Sequence, residues 1–205
     1  MKTSRLEAFS DGVIAILITI MVLELKTPAG HDWSDLRPMG HVFGFYALSF
    51  VYLGIYWNNH HHMIHVSDRV TGAVLWANLH LLFWLSLFPF GTAWMGESHI
   101  APLPTAFYGF VQMMAGTAYF ILEKALIAAQ GPHSALKEAV GADLKGKLSV
   151  VGYFIAILFA WTQPWVSTLI YVLVAGMWLI PDRRIERRTG HHPKAHGGGG
   201  EPGVS

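Results

Sequence analysis

Six apolar runs, each long enough to cross or nearly cross a bilayer, occupy most of this chain: residues 4–25, 41–63, 71–94, 105–129, 148–163 and 165–181. A helix needs about 20 apolar residues to span the hydrocarbon core. The last two runs are short, about 16 residues each, so they are expected to form a helical hairpin around the Gln163-Pro164 break and to span with local thinning of the bilayer. Six consecutive helices that are apolar all round leave no polar face for water, which excludes a soluble bundle. Composition agrees: 53% of residues are hydrophobic, 13% are charged and the mean hydropathy is +0.39. The expected fold is therefore an all-α membrane protein with six transmembrane helices, spanning residues 1–189. With no cysteine, disulfides and thiolate metal sites are excluded. The first run is too long for a signal peptide and lacks a small-residue cleavage site, so it is expected to remain as a helix.

The lysines and arginines orient the bundle. With a cytoplasmic N-terminus, 12 of them fall on the cytoplasmic side and 2, Lys26 and Arg37, on the other. The positive-inside rule then places both termini in the cytoplasm of a multi-pass protein of the cell (inner) membrane. Tryptophans near the ends of the runs, Trp57, Trp76, Trp94, Trp161 and Trp165 among them, suit interfacial belts and need no other role. Residues 190–205, GHHPKAHGGGGEPGVS, have no apolar periodicity and are expected to be a disordered cytoplasmic tail. A net charge of +1 gives no sign of a nucleic-acid partner.

The first run, RLEAFSDGVIAILITIMVLEL at 5–25, sets a harder problem. Only 12 uncharged residues separate Asp11 from Glu24. As helix they cover about 18 Å, too short for a core of about 30 Å. The helix must extend back through Asp11, Ser10 and Glu7, which puts a carboxylate within the inner half of the membrane. Such a charge is costly unless it faces protein or water. At 100° per residue, Arg5, Phe9, Gly12, Ile16, Thr19, Ile20 and Leu23 form one stripe, and Ser10 and Asp11 lie more than 100° from it. An aliphatic stripe on a membrane helix ordinarily faces lipid or packs against a neighbour. A buried carboxylate more often belongs to a pathway or a polar network.

RLEAFSD, followed by an aliphatic helix with Thr19, resembles the RxxxFSD signature that opens the first helix of the transmembrane protein 175 family, the potassium channels of endosomes and lysosomes, in its single-repeat bacterial branch. WNNHH at 57–61, WANLHLLF at 76–83 and the Pro89-Phe90 pair resemble the same family. The resemblance covers the chain to about residue 185. It implies a homotetramer in the lipid bilayer, its pore lined by the first helix of each subunit. It also implies a channel rather than an enzyme, with no cofactor beyond permeant potassium ions. By offset from Asp11, the narrowest hydrophobic ring falls on Ile16, with Thr19, Ile20 and Leu23 lining the pore toward the outside. The signature residues Arg5, Phe9, Ser10 and Asp11 would anchor this helix rather than touch the ion, with partners at Trp57, His61 and Asn78.

Physically, a hydrophobic ring gates or selects only if its diameter is fixed. Hydrogen bonds from Ser10 and Asp11 to His61, Trp57 or Asn78 would set the rotation of the first helix and satisfy the carboxylate together. The chain has neither a TVGYG filter nor an arginine-rich sensor helix. A tight aliphatic ring that strips hydration would give a modest preference for potassium over sodium. Two other readings stand beside this one. A proton-linked secondary transporter would use Asp11 as its proton site. A haem- or metal-binding redox protein would use the histidines at 60–65 and His80.

Overall fold

The computed structural model describes residues 3–67, 69–131, 134, 136–137 and 143–179. The expected tail at 190–205 and the end of the sixth run beyond 179 lie outside these residues. Helix α1 (Thr3–Ile20) tightens into a 3-10 turn at Met21–Glu24 and ends as Leu25 turns extended ahead of Pro28. A short α2 (Trp33–Leu36) follows, opened by a capping box in which Asp32 N–H donates to Asp35 Oδ2 at 3.0 Å. It runs through a 3-10 turn at Arg37–Met39 into α3 (Gly40–His65), 26 residues and about 39 Å long.

The third span, expected as one run, is two helices: α4 (Gly72–Ser86), capped by Thr71, and α5 (Phe88–Glu97). The break at Leu87 has a local cause. Pro89 carries no N–H for the carbonyl four residues back, so the ladder slips and Leu87 N–H bonds Trp84 O at 3.2 Å, three residues back. Helix α6 (Pro102–Gln130) starts on a proline and stops at Gly131, whose φ of +92° suits a residue without a side chain. The closing hairpin is α7 (Leu144–Phe159), capped by Asp143, and α8 (Pro164–Leu179), turning at 160–163 as the Gln163-Pro164 break implies.

These elements make six crossing segments among the described residues. Four are long and apolar enough to span alone, and α7 and α8 are the two short ones. Helix α1 packs on α3 and α4, α4 on α6, α5 on α3 and α6, and α7 between α6 and α8. At one end, Lys26 pairs with Glu97 and the His41 and His99 rings lie 4.5 Å apart, so the exit of α1, the entry to α3 and the exit of α5 share that end. The core away from α1 is built on tyrosines. Tyr171 OH donates to Thr105 O at 2.9 Å and Tyr52 OH to Tyr171 O. Ser49 Oγ sits 2.8 Å from Tyr108 OH and 2.6 Å from Thr92 Oγ1. Lipid gives helices no hydrophobic reason to associate, so side-chain hydrogen bonds and close packing do that work.

Candidate functional site

The two faces of α1 differ sharply. Leu6, Ser10, Ile14, Leu17 and Met21, spaced four, four, three and four residues apart, are buried against α3 and α4. The opposite stripe is exposed along its whole length: Arg5, Phe9, Gly12, Ile16, Thr19, Ile20 and Leu23. Ile16 is 61% exposed and Leu23 77%, on a helix held firmly on its other side. Among the described residues, no atom from another element lies within 4 Å of where a Cβ on Gly12 would sit. Thr19 Oγ1 lies 3.0 Å from both Ala15 O and Ile16 O, so its hydrogen is spent on its own helix and an oxygen lone pair remains directed outward.

The buried face of α1 is fastened by a relay across three helices. His60 Nε2 donates to Asn78 Oδ1 at 2.8 Å, Asn78 Nδ2 donates to Ser10 Oγ at 3.0 Å, and Ser10 Oγ donates to Leu6 O at 2.9 Å. Ser10, His60 and Asn78 are each fully buried. This order of donors places the ring proton on His60 Nε2. Beside it, Trp57 Nε1 donates to Asp11 Oδ1 at 3.0 Å, and His61 Nδ1 lies 2.7 Å from Glu7 Oε1.

The structure thus joins Ser10 to Asn78 and Asp11 to Trp57, and departs from the sequence expectation at three residues. His61 bonds neither Ser10 nor Asp11; its partner is Glu7, and the ring buried against Asn78 is His60. Adjacent residues on a helix point 100° apart, and His60 lies on the buried side of α3 with Leu53 and Ile64, all at 0% exposure. Which of the two histidines turns to Asn78 is decided by how α3 packs on α4, which the α3 run alone does not encode. Arg5 and Phe9, grouped with the anchors by resemblance, lie instead on the exposed stripe. The histidines at 60–65 do not converge on one point. His60 turns to Asn78, His61 to Glu7, and His65 stacks on His61 with ring centroids 5.9 Å apart.

Comparison with known proteins gives a consistent picture. Residues 5–89 match the model of the family described as endosomal/lysosomal potassium channel TMEM175. A potassium channel of Chryseobacterium sp. is 51% identical over 187 residues, covering 91% of this chain and 97% of the relative. A potassium channel of Streptomyces collinus is 34% identical over 129 residues, 58% of this chain and 61% of that protein. Among solved structures, the crystal structure of a lysosomal potassium-selective channel TMEM175 homolog from Chamaesiphon minutus superposes with a TM-score of 0.71 at 25% identity, covering 89% of this chain and 97% of that one.

Proposed function

We propose a conduction mechanism from one premise: this chain belongs to the TMEM175 family of potassium channels. It is a multi-pass membrane protein that conducts potassium and is not an enzyme. In our reading, four copies surround an axis and the exposed stripe of each α1 faces it. One observation carries this reading: a helix locked on one face by a buried relay leaves Ile16, Thr19, Ile20 and Leu23 open along the other.

Four Ile16 side chains would form the dry constriction. An ion crossing it loses water without gaining ligands, and potassium holds its water less tightly than sodium, so the ring favours potassium modestly. Thr19, one turn outward, offers four outward-directed oxygens that partly rehydrate the ion. Ile20 and Leu23 would continue the wall for about 10 Å beyond Ile16. The relay through Ser10, Asn78 and His60, with the Asp11–Trp57 and Glu7–His61 contacts, fixes the rotation of α1 and so the diameter of the ring. Arg5 and Phe9 would then meet neighbouring copies at the inner mouth. The 12-to-2 distribution of basic residues supports cytoplasmic termini in the cell membrane.

The test is flux into liposomes with potassium, rubidium, sodium and caesium, for the parent chain and for Ile16→Asn. The amide should raise total flux and bring sodium close to potassium, because a polar ring no longer forces dehydration. Ile18→Asn, on the half-buried side of the helix, should destabilise the protein without that change in selectivity. An unaltered sodium-to-potassium ratio in a well-assembled Ile16→Asn channel removes Ile16 as the constriction.

A further inference from the structure

Helices α3, α6, α7 and α8 leave a cavity of about 430 Å³ between them. Its walls are largely aromatic: Tyr52 and Tyr56 from α3, Tyr119 and Phe120 from α6, Tyr153 from α7 and Trp178 from α8. The volume lies within the range of about 300–1,000 Å³ that small-molecule sites occupy. Most hydroxyls on the wall are bonded within the subunit. Tyr52 OH donates to Tyr171 O, Tyr153 hydrogen-bonds Tyr52, Tyr119 OH donates to Asn59 O, Thr117 Oγ1 to Met113 O and Ser149 Oγ to Lys145 O.

Tyr56 is the exception. Its ring is held edge-on by Phe88 and Tyr119, with centroids 6.2 Å away in each case, yet no described residue hydrogen-bonds its hydroxyl. Gly116 of α6 keeps the space beside it clear: a Cβ there would come 3.8 Å from the Tyr56 oxygen. Three residues along the same face of α3, Asn59 Nδ2 donates to Ile55 O, and no described donor reaches Asn59 Oδ1. A donor and an acceptor left open on an apolar wall lose hydrogen bonds when hydrocarbon fills the space, and keep them when the guest carries a hydroxyl. Asp143 and Lys147 bring one charge of each sign to the lining, so the described walls favour neither an anion nor a cation.

We propose that the cavity binds one neutral, mainly hydrocarbon molecule with a terminal hydroxyl, an aliphatic alcohol in chemical class, whose oxygen accepts from Tyr56 OH and donates to Asn59 Oδ1. The guest touches the helix that fastens α1, since Trp57 and His61, on the same two turns of α3, bond Asp11 and Glu7.

The experiment is tryptophan fluorescence of the purified full-length chain in mild detergent, titrated with omega-bromododecanol, whose bromine quenches an indole only at close range. Of the chain's 8 tryptophans, Trp178 is the reporter on the wall. Quenching should saturate in the parent chain, and the saturable part should vanish in Trp178→Phe. Bromododecane, the same hydrocarbon without the hydroxyl, should bind roughly tenfold more weakly, and Tyr56→Phe should weaken the alcohol by a similar factor while leaving the hydrocarbon where it was. Gly116→Leu should abolish saturable quenching by both, because its side chain grows into the chamber beside Tyr56 OH. Should Gly116→Leu fail to fold, Tyr56→Phe decides alone, since it deletes an oxygen that no described residue bonds. Quenching that never saturates, a saturable part that survives Trp178→Phe, or equal affinity for the alcohol in the parent chain and in Tyr56→Phe overturns the proposal. The readout is fluorescence of the resting protein, so it stands or fails independently of whether Ile16 forms the constriction.

Discussion

The front and the back of this subunit are held together by different chemistry. At the front, α1 meets α3 and α4 through a relay of amide, imidazole and hydroxyl groups, in which every member depends on the next. At the back, α3, α5, α6, α7 and α8 meet through tyrosines, Tyr52 and Tyr171 among them, that donate to backbone carbonyls and fill space with their rings. A tyrosine bound to a carbonyl fixes distance and tolerates small rotations, whereas a three-helix relay fixes rotation as well. In the proposed pore, rotation is the quantity that would decide which residues of α1 reach the axis.

That contrast can be broken by four substitutions read as thermal unfolding of the purified protein. Asn78→Leu should cost most, about 3 kcal/mol, because it strands two buried partners, His60 Nε2 and Ser10 Oγ, at once. Gly109→Ala is the matching insult to the back. Its Cβ would collide with the Tyr171 hydroxyl and push it off Thr105 O, at about 1–3 kcal/mol of overpacking. A larger loss from Gly109→Ala than from Asn78→Leu would reverse the ranking of the two regions. Asp11→Ala should cost about 1 kcal/mol, since Trp57 is half exposed and its indole N–H can find another acceptor. If four copies assemble as proposed, its larger effect should be on that assembly, seen as dissociation in size-exclusion chromatography; an intact assembly with unchanged currents would take Asp11 out of the network.

Lys26→Gln should leave the unfolding midpoint where it was, because the pair with Glu97 is exposed at the rim. The hydrogen bond and charge of the Glu97 carboxylate raise the Lys26 pKa above the ordinary lysine value. Whatever the pair contributes is present below that ordinary value and lost only as pH rises through the raised one. A titration through neutral pH should therefore show no stability change traceable to this pair.

Much of the front was legible in the sequence. The stripe from Arg5 to Leu23 follows from 100° arithmetic on one helix, and the structure leaves those residues exposed because each is fixed by local geometry alone. The anchors were legible only as residue types. Which of two adjacent histidines meets Asn78 depends on the rotation of α3 relative to α4, a relation between helices that a single run does not encode. The break of the third span follows from Pro89 once the lost backbone bond is counted, although an unbroken hydropathy profile hides it. A cavity lined by Tyr52 and Tyr56 of α3, Tyr119 of α6, Tyr153 of α7 and Trp178 of α8 had no signature at all, because its lining is drawn from four helices that meet only in the fold.

Gly12 carries a last consequence. On an exposed helix face, glycine is disfavoured relative to alanine by about 1 kcal/mol, and around Gly12 none of the described residues is a neighbour that an added methyl group would disturb. Viewed as a solitary molecule, the chain is therefore suboptimal at this point, and none of the described residues supplies the compensation. In membranes, small residues let helix backbones approach closely. In the assembly proposed above, the missing methyl group would mark the level along α1 at which one copy leaves room for the next.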